Sequence, residues 1–516
     1  MNQLTIFRLK KDYTDPDDML PERGSLADFQ VKIGESHLGV LYVRRSEREI
    51  PSWVSYFGVS VDLANQELST SVISAVLLLA NNGYTFAISF GYGRYLLAEE
   101  AIDKRFGLLV TLNAVEPTEL RSIDHKRLEF IQRHTREELS RASGMAQFGV
   151  DVERDLLRSV TGTPSDPQYG KRLGGSDQLT VIGDIPLSEL TNYLGRVSKL
   201  ASLENYKVNF PWVDNICEIA DARLAHELDN RLVTMLKRRD EGDFWLAPPE
   251  IVDWINVAAF RYSTRKRAID CADLDFVDYF NEYGSAHDLT VQRLEQDRVY
   301  CLKADDETMK RSWAIRRCLV GELEYKKTRY VLSEGRWYAI NRSFFETLDE
   351  YVAAIPRSAI RFPDYAQQNE AEYNAYAARK FKSLKCLDQN FVVFPGRGKV
   401  EVCDLYSVEK IFIHVKRYSA SSTLSHLFSQ GTVSAQLMVG ESSFRAKFQE
   451  KLPAAFHWGE PSAQFQADQF QVCYAIIGKR GRDLVLPFFS KVNLRTAVRS
   501  IQGVGLHVSL ASIRSS

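Results

Sequence analysis

Near the C-terminus three residues have types and spacing suited to phosphoryl chemistry. Asp404 precedes His414 by nine intervening residues, and His414-Val415-Lys416 sets a histidine and a lysine two positions apart. Read as two hairpin-linked strands, this spacing sets Asp404 beside His414. Strand residues two apart share a face, so His414 and Lys416 point the same way. Upstream, Glu370 and Glu372 fall in a helix-like run. Glu370 shares a helical face with Asn374, and Glu372 faces elsewhere. Hydrolysis of a phosphodiester calls for an oxygen-ligated Mg²⁺ or Mn²⁺ and a cation beside the developing charge. Asp404, Glu401, Glu370, Glu372, His414 and Lys416 are the candidate residues.

The charge around these residues points to nucleic acid. From Tyr376 to Lys451 there are twelve Lys and Arg against six Asp and Glu, in a chain whose formal net charge is −1. A local basic excess of this kind attracts phosphate. Lys399, Arg417, Arg397, Lys380 and Gln430 are the candidate contacts, with DNA expected in preference to RNA. A further basic run is Lys479-Arg480-Gly481-Arg482. The near-neutral whole excludes a uniformly basic coat.

The elements that must position these residues read as follows. Tyr365 to Ser383 is helix-like. Asn390–Phe394 is a strand, Pro395–Gly398 a turn, Lys399–Tyr406 a second strand and Lys410–Tyr418 a third. Ser421 or Ser422 caps a helix to about Met438, Phe470–Ile477 is a strand, Asn493–Ile501 a short helix and His507–Ile513 a last strand. The order is α-β-β-β-α-β, then α-β. With Asp404 and the H-x-K, this resembles the core of the PD-(D/E)xK, or restriction-endonuclease-like, superfamily. There an aspartate ends one strand and an acid or amide, one residue and a lysine end the next. The resemblance implies a metal-dependent nuclease in which Asp404, Glu401 and Glu370 are candidate metal ligands and Glu370 or Glu372 completes the shell or positions water. It also implies that Lys416 stabilises the phosphate in the transition state and that His414 is a ligand or a proton-transfer group. The departure is His414 where an oxygen donor is expected, since imidazole suits softer metals. Three readings stay open: Mn²⁺ with a histidine ligand, a second carboxylate from Glu401 or Glu409, or a fold that persists without its chemistry.

A second resemblance rests on His414-Val-Lys-Arg-Tyr-Ser-Ala-Ser-Ser-Thr-Leu-Ser-His-Leu-Phe-Ser-Gln-Gly431, on Pro487-Phe-Phe-Ser-Lys-Val-Asn-Leu494, and on Phe90-Gly-Tyr-Gly-Arg94 with Phe106-Gly107. These strings resemble a family of sporadically distributed bacterial proteins of unknown function. The resemblance spans most of the chain. Its patchy distribution implies defence or mobile-element genes, with no mechanism attached.

The 516 residues, 45% hydrophobic and 26% charged, suffice for several cores. The expected class is mixed α/β and multidomain: a mixed domain at 1–195, a helix-rich middle at 196–360 ending in a β-hairpin, and the nuclease-like domain at 361–516. Ser122–Ala142 reads as an exposed helix and Gly170–Gly175 as a loop. Ala220–Arg239 carries leucines every four residues, an amphipathic helix. Tyr330–Leu332 and Arg336–Ile340 flank a glycine turn. Gly91-Tyr-Gly-Arg94 is a tight turn after a strand, too short for a phosphate loop. His426 is expected to be partly buried, and Gly431 to mark close packing. Trp245, Trp254 and Trp337 read as core anchors. The seven scattered cysteines suit reduced thiols rather than a disulfide frame. No apolar run approaches the ~20 residues of a spanning helix. The expected setting is cytoplasmic, with no membrane and a protein partner in a defence system; homo-oligomerisation stays open, a twofold arrangement being one that suits duplex substrates. The alternatives to a nuclease are a non-catalytic nucleic-acid binder or sensor and a protein-interaction scaffold.

Overall fold

Apolar alternation over much of the first 213 residues builds one antiparallel sheet. The computed structural model describes residues 3–45, 72–127, 133–152, 155–219, 221–238, 244–250, 252, 257–265, 268–303, 309–394, 398–418, 421–478 and 484–515. The protein is mixed α/β and divides into two compact units, residues 1–127 with 134–213, and residues 128–133 with 214–516. Among the described residues no helix is long and apolar enough to cross a membrane.

In the first unit the hydrogen-bonded strand order is 27–33, 36–45, 73–81, 84–91, 3–8, 179–182, 172–175, 155–164, 115–127 and 133–143. Helix Phe106–Ala114 lies on this sheet and buries Phe106, Leu108, Val110 and Leu112. Only glycine permits that approach. A Cβ on Gly107 would sit 1.8 Å from the Gln178 carbonyl oxygen, and one on Gly175 2.0 Å from that of Gly107. The expected helix at Ser122–Ala142 is corrected: residues 122–127 and 133–142 belong to two strands, and residues 128–132 lie outside the described residues. Its charges are matched across strands rather than along a helix. Arg136 clasps Asp124 at 2.7 and 2.6 Å, and Arg127 clasps Asp155 at 2.8 and 3.1 Å. The expected loop at Gly170–Gly175 is likewise corrected, since Arg172–Gly175 pairs with Leu179–Ile182. Gly91 (φ +58°) makes the tight turn after its strand.

In the second unit helix Ala222–Lys237 buries Leu228, Leu232 and Leu236. Its Asp229 receives Arg316 at 2.9 Å and the Trp337 indole N–H at 2.8 Å. Strands Thr328–Ser333 and Arg336–Ile340 form the expected hairpin, with Glu334 (φ +55°) and Gly335 (φ +74°) turning it.

The C-terminal section starts with α1 (Glu370–Lys380), followed by β1 (Leu384–Cys386), β2 (Phe391–Phe394), β3 (Gly398–Glu401), β4 (Leu405–Ser407) and β5 (Ile411–Arg417). Next come α2 (Ser421–Gly440), α3 (Ser442–Gln449), β6 (Gln471–Ile477), α4 (Phe488–Gly503) and β7 (His507–Ile513). The sheet order is β1-β4-β5-β6-β7, antiparallel up to β5 and parallel after it. The helices between β5, β6 and β7 supply the crossovers that parallel pairing requires.

Both faces of this sheet are covered, so β5 reads as a continuous apolar run. Ile411, Ile413 and Val415 pack with Tyr365, Tyr373 and Ala377. Phe412 packs with Leu424, Leu427 and Phe428 of α2. Gly431 of α2 meets the Tyr474 ring, where a Cβ would lie 2.5 Å from the hydroxyl oxygen. That hydroxyl donates to the Phe428 carbonyl at 2.9 Å. Glu322, buried in the middle section, accepts the first N–H groups of α4, from Phe488 at 2.7 Å and Phe489 at 3.2 Å. One expectation is corrected here. Asn390–Phe394 and Lys399–Tyr406 are not neighbouring strands of the main sheet. Among the described residues β2 and β3 pair only with each other, and the sheet begins at β1 and resumes at β4.

Candidate functional site

Asp404 lies one residue ahead of β4. Its N–H donates to the Ile413 carbonyl at 3.1 Å, and its carbonyl accepts the Leu387 N–H at 2.8 Å. Leu405 pairs with Ile413 and Tyr406 with Phe412. One more step of that register sets Asp404 opposite His414, as the spacing predicts. The Asp404 carboxylate accepts the Val415 N–H at 2.7 Å, so it is pinned one residue before Lys416.

Two further carboxylates meet it. Phe391 pairs with Glu401, so the β2–β3 hairpin returns the chain to its starting point. The Gln389 N–H then donates to Glu401 Oε1 at 2.7 Å. Asp388 sits at the base of the same hairpin. One oxygen each from Asp388, Glu401 and Asp404 lies within 4.8 Å of the other two. Asp388 is absent from the sequence reading. Its signal was its place: it and Glu401 flank a segment that folds back on itself. Asn374 Nδ2 donates to Asp388 at 3.3 Å, and Gln430 Nε2 to Glu401 at 3.3 Å. Gln430, a candidate phosphate contact, thus holds a carboxylate.

Burial pushes the Asp404 carboxyl up to about 8. The Val415 N–H opposes this, and the negative charges of Glu401, Asp388 and Glu370 add to it. The crowding is one that a cation relieves. The donors are all hard oxygens, the set that Mg²⁺ and Mn²⁺ take.

Glu370 stands at the first turn of α1, outside this trio. Its Oε2 accepts Lys416 Nζ at 2.8 Å and its Oε1 the Arg417 N–H at 2.9 Å. Both oxygens are engaged, so in this arrangement Glu370 orients Lys416. Glu372 caps its own helix: its N–H donates to Asn369 Oδ1 at 2.9 Å, and its carboxylate accepts Asn369 Nδ2 at 3.1 Å and the Gln368 N–H at 3.2 Å. This is a reciprocal capping pair, and Glu372 is not one of the trio. Glu409 is exposed in the turn before β5, at the opposite strand end from Lys416.

His414 is 1% exposed and lies against the Tyr474 ring at 6.1 Å. Burial pushes its pKa down to about 3, so the ring is neutral at pH 7. Its Nε2 has no hydrogen-bond partner among the described residues.

Of the candidate nucleic-acid contacts, Lys399 is exposed on β3 and Arg417 is exposed at the end of β5, its guanidinium 5.7 Å from the Tyr365 ring centre. Lys380 is exposed at the far end of α1 from Glu370. Arg397, Trp254 and the run Lys479–Arg482 lie outside the described residues. His426, expected to be partly buried, is exposed. A cleft of about 540 Å³ opens beside the acids, lined by Tyr365, Asn369, Glu370, Asp388, Gln389 and Arg417 among others.

The profile of a family of unknown function, DUF6119, matches residues 4–514. No curated protein and no solved structure matches.

Proposed function

The chain belongs to this family of unknown function, and on that footing we propose that it is a metal-dependent nuclease. The observation that carries the reading is the trio Asp388, Glu401 and Asp404 converging within 4.8 Å, with Asp404 pinned beside the strand end that bears Lys416. These three residues would hold Mg²⁺ or Mn²⁺, which when bound polarises the phosphate and acidifies water. The chain's own groups do the rest. Lys416 places its ammonium on the developing phosphate charge, and Glu370 fixes that ammonium in position. Asn374 and Gln430 orient the ligating carboxylates. The cleft admits the nucleotides beside the scissile bond. The proposed setting is defence of a bacterial cytoplasm against foreign DNA. It draws on the sporadic distribution implied by the sequence resemblance.

A second reading has its own observation. His414 occupies the position where an oxygen donor is expected, and it is buried, neutral and outside the trio. That favours a nucleic-acid binder with no cleavage. Incubation of labelled duplex DNA and RNA with Mg²⁺ or Mn²⁺, beside Asp404→Ala and Lys416→Ala, separates the two. The nuclease reading expects cleavage by the wild type alone. Equal binding by all three proteins with no cleavage selects the binder.

A further inference from the structure

The β2–β3 hairpin stands apart from the main sheet and has two unlike faces. Val392 is 1% exposed, and with half-buried Val400 opposite it joins the core beneath α2 and α3. The other face carries Phe391, 41% exposed, and Val393, 61% exposed. Val393 pairs across the ribbon with Lys399, itself exposed. Two lysines of the α3 region buttress the first strand: Lys447 donates to the Val393 carbonyl at 3.0 Å and Lys451 to Asn390 Oδ1 at 2.7 Å. Lys399 makes no ion pair among the described residues. The outer face thus carries Phe391 and Val393, with half-buried Glu401 and exposed Lys399 beside them across the ribbon.

We propose that this hairpin is a groove-reading ribbon for duplex nucleic acid. The inference rests on the nuclease reading for the site at its base, and extends it to the form of the substrate. A two-stranded ribbon fits the major groove, which is about 12 Å wide. Four residues per strand span roughly 13 Å at the usual rise. Phe391 and Val393 suit apolar contact with thymine methyls, while Lys399 and Lys447 meet the flanking phosphates. Continuity decides the occupant. The same ribbon ends at Asp388 and Glu401, so a duplex seated on it brings its backbone to the acidic trio. A protein partner explains Phe391 and Val393 but leaves exposed Lys399 without complement.

The test is binding in chelator, where cleavage plays no part. Fluorescence anisotropy with a labelled 20-bp DNA duplex is read across a salt series for the full chain, Phe391→Ser/Val393→Ser and Lys399→Ala/Lys447→Ala, with thermal melts as a folding check. The lysine pair is expected to lose about tenfold affinity and to lower the log–log salt slope by about 2. The apolar pair is expected to lose about fivefold with its slope unchanged. Wild-type affinity and slope in both variants overturn the ribbon, as does a wild type that binds no duplex or prefers single strands equally. Should Phe391→Ser/Val393→Ser misfold, Val393→Thr serves in its place, with a twofold or greater loss expected and none overturning the assignment. Loss of binding in the variants beside a wild type that never cleaves keeps the ribbon and removes the nuclease reading. Cleavage by variants that bind normally does the reverse.

Discussion

At pH 7 a carboxyl with a pKa near 8 holds its proton most of the time, and a cation must displace it. Asp404 is such a group. Binding of Mn²⁺ near pH 7 should therefore release close to one proton, with affinity climbing as pH rises toward 8 and levelling beyond. Calorimetry in two buffers of different ionisation heat measures this directly; equal heats would remove Asp404 from the ligand set. Without a cation the same group makes stability fall with rising pH. Its folded pKa lies above its ordinary value of 3.8, so the unfolded chain ionises first. His414 runs the other way. Its folded pKa near 3 lies below the ordinary 6.5, so the unfolded chain takes up a proton first as pH falls. The stability it confers is complete above 6.5 and drains away toward pH 3, at about 1.4 kcal/mol per pH unit. His414→Leu should be near neutral at pH 7, since it removes an unpartnered buried nitrogen. It should also flatten the acid side of the profile in urea titrations at pH 5 and 7. A large loss at pH 7 would assign the ring a bond that the geometry lacks.

Helix α2 approaches β6 most tightly at Gly431. Gly431→Ala places a methyl inside contact distance of the Tyr474 ring, and the expected cost is about 1–3 kcal/mol, as for other overpacked cores. Chemical denaturation reads it, and Tyr474→Phe in the same chain should recover only the part due to the hydroxyl. Elements of this kind explain what the sequence discloses. The nine-residue spacing of Asp404 and His414 is local to one tight hairpin, so counting residues suffices to set them opposite each other. The strand 411–417 is legible as a continuous apolar run, and the leucine stripe at 228, 232 and 236 by its helical period. Asp388 is not legible, because it reaches Glu401 only through closure of a hairpin thirteen positions long. Glu372 misleads because a carboxylate in a first helical turn serves capping and catalysis with the same residue type. The strands at 115–127 and 133–143 mislead because their charges pair across strands, so no clean alternation marks them.

For the molecule as a whole, everything in the acidic trio and its supports comes from residues after 213. The fragment 214–516 should therefore bind Mn²⁺ with wild-type affinity, within about threefold, in calorimetry. A fragment that folds, by its far-ultraviolet spectrum and cooperative melt, yet binds no cation would place an essential group in the first unit. Glu322 adds a constraint inside that fragment. It ties the middle hairpin sheet to the first turn of α4, so trimming to the last 156 residues strips that turn of its carboxylate.

The β2–β3 pairing also bears on how such proteins could diverge. Because Phe391 faces Glu401 and Val393 faces Lys399, residues added in matched pairs, one per strand, lengthen the ribbon while its base stays fixed. An unpaired insertion shifts one strand by a step and turns its side chains to the other face. Length variation among relatives should then come in twos at this point, and the reach of the ribbon can be retuned without disturbing Asp388 and Glu401.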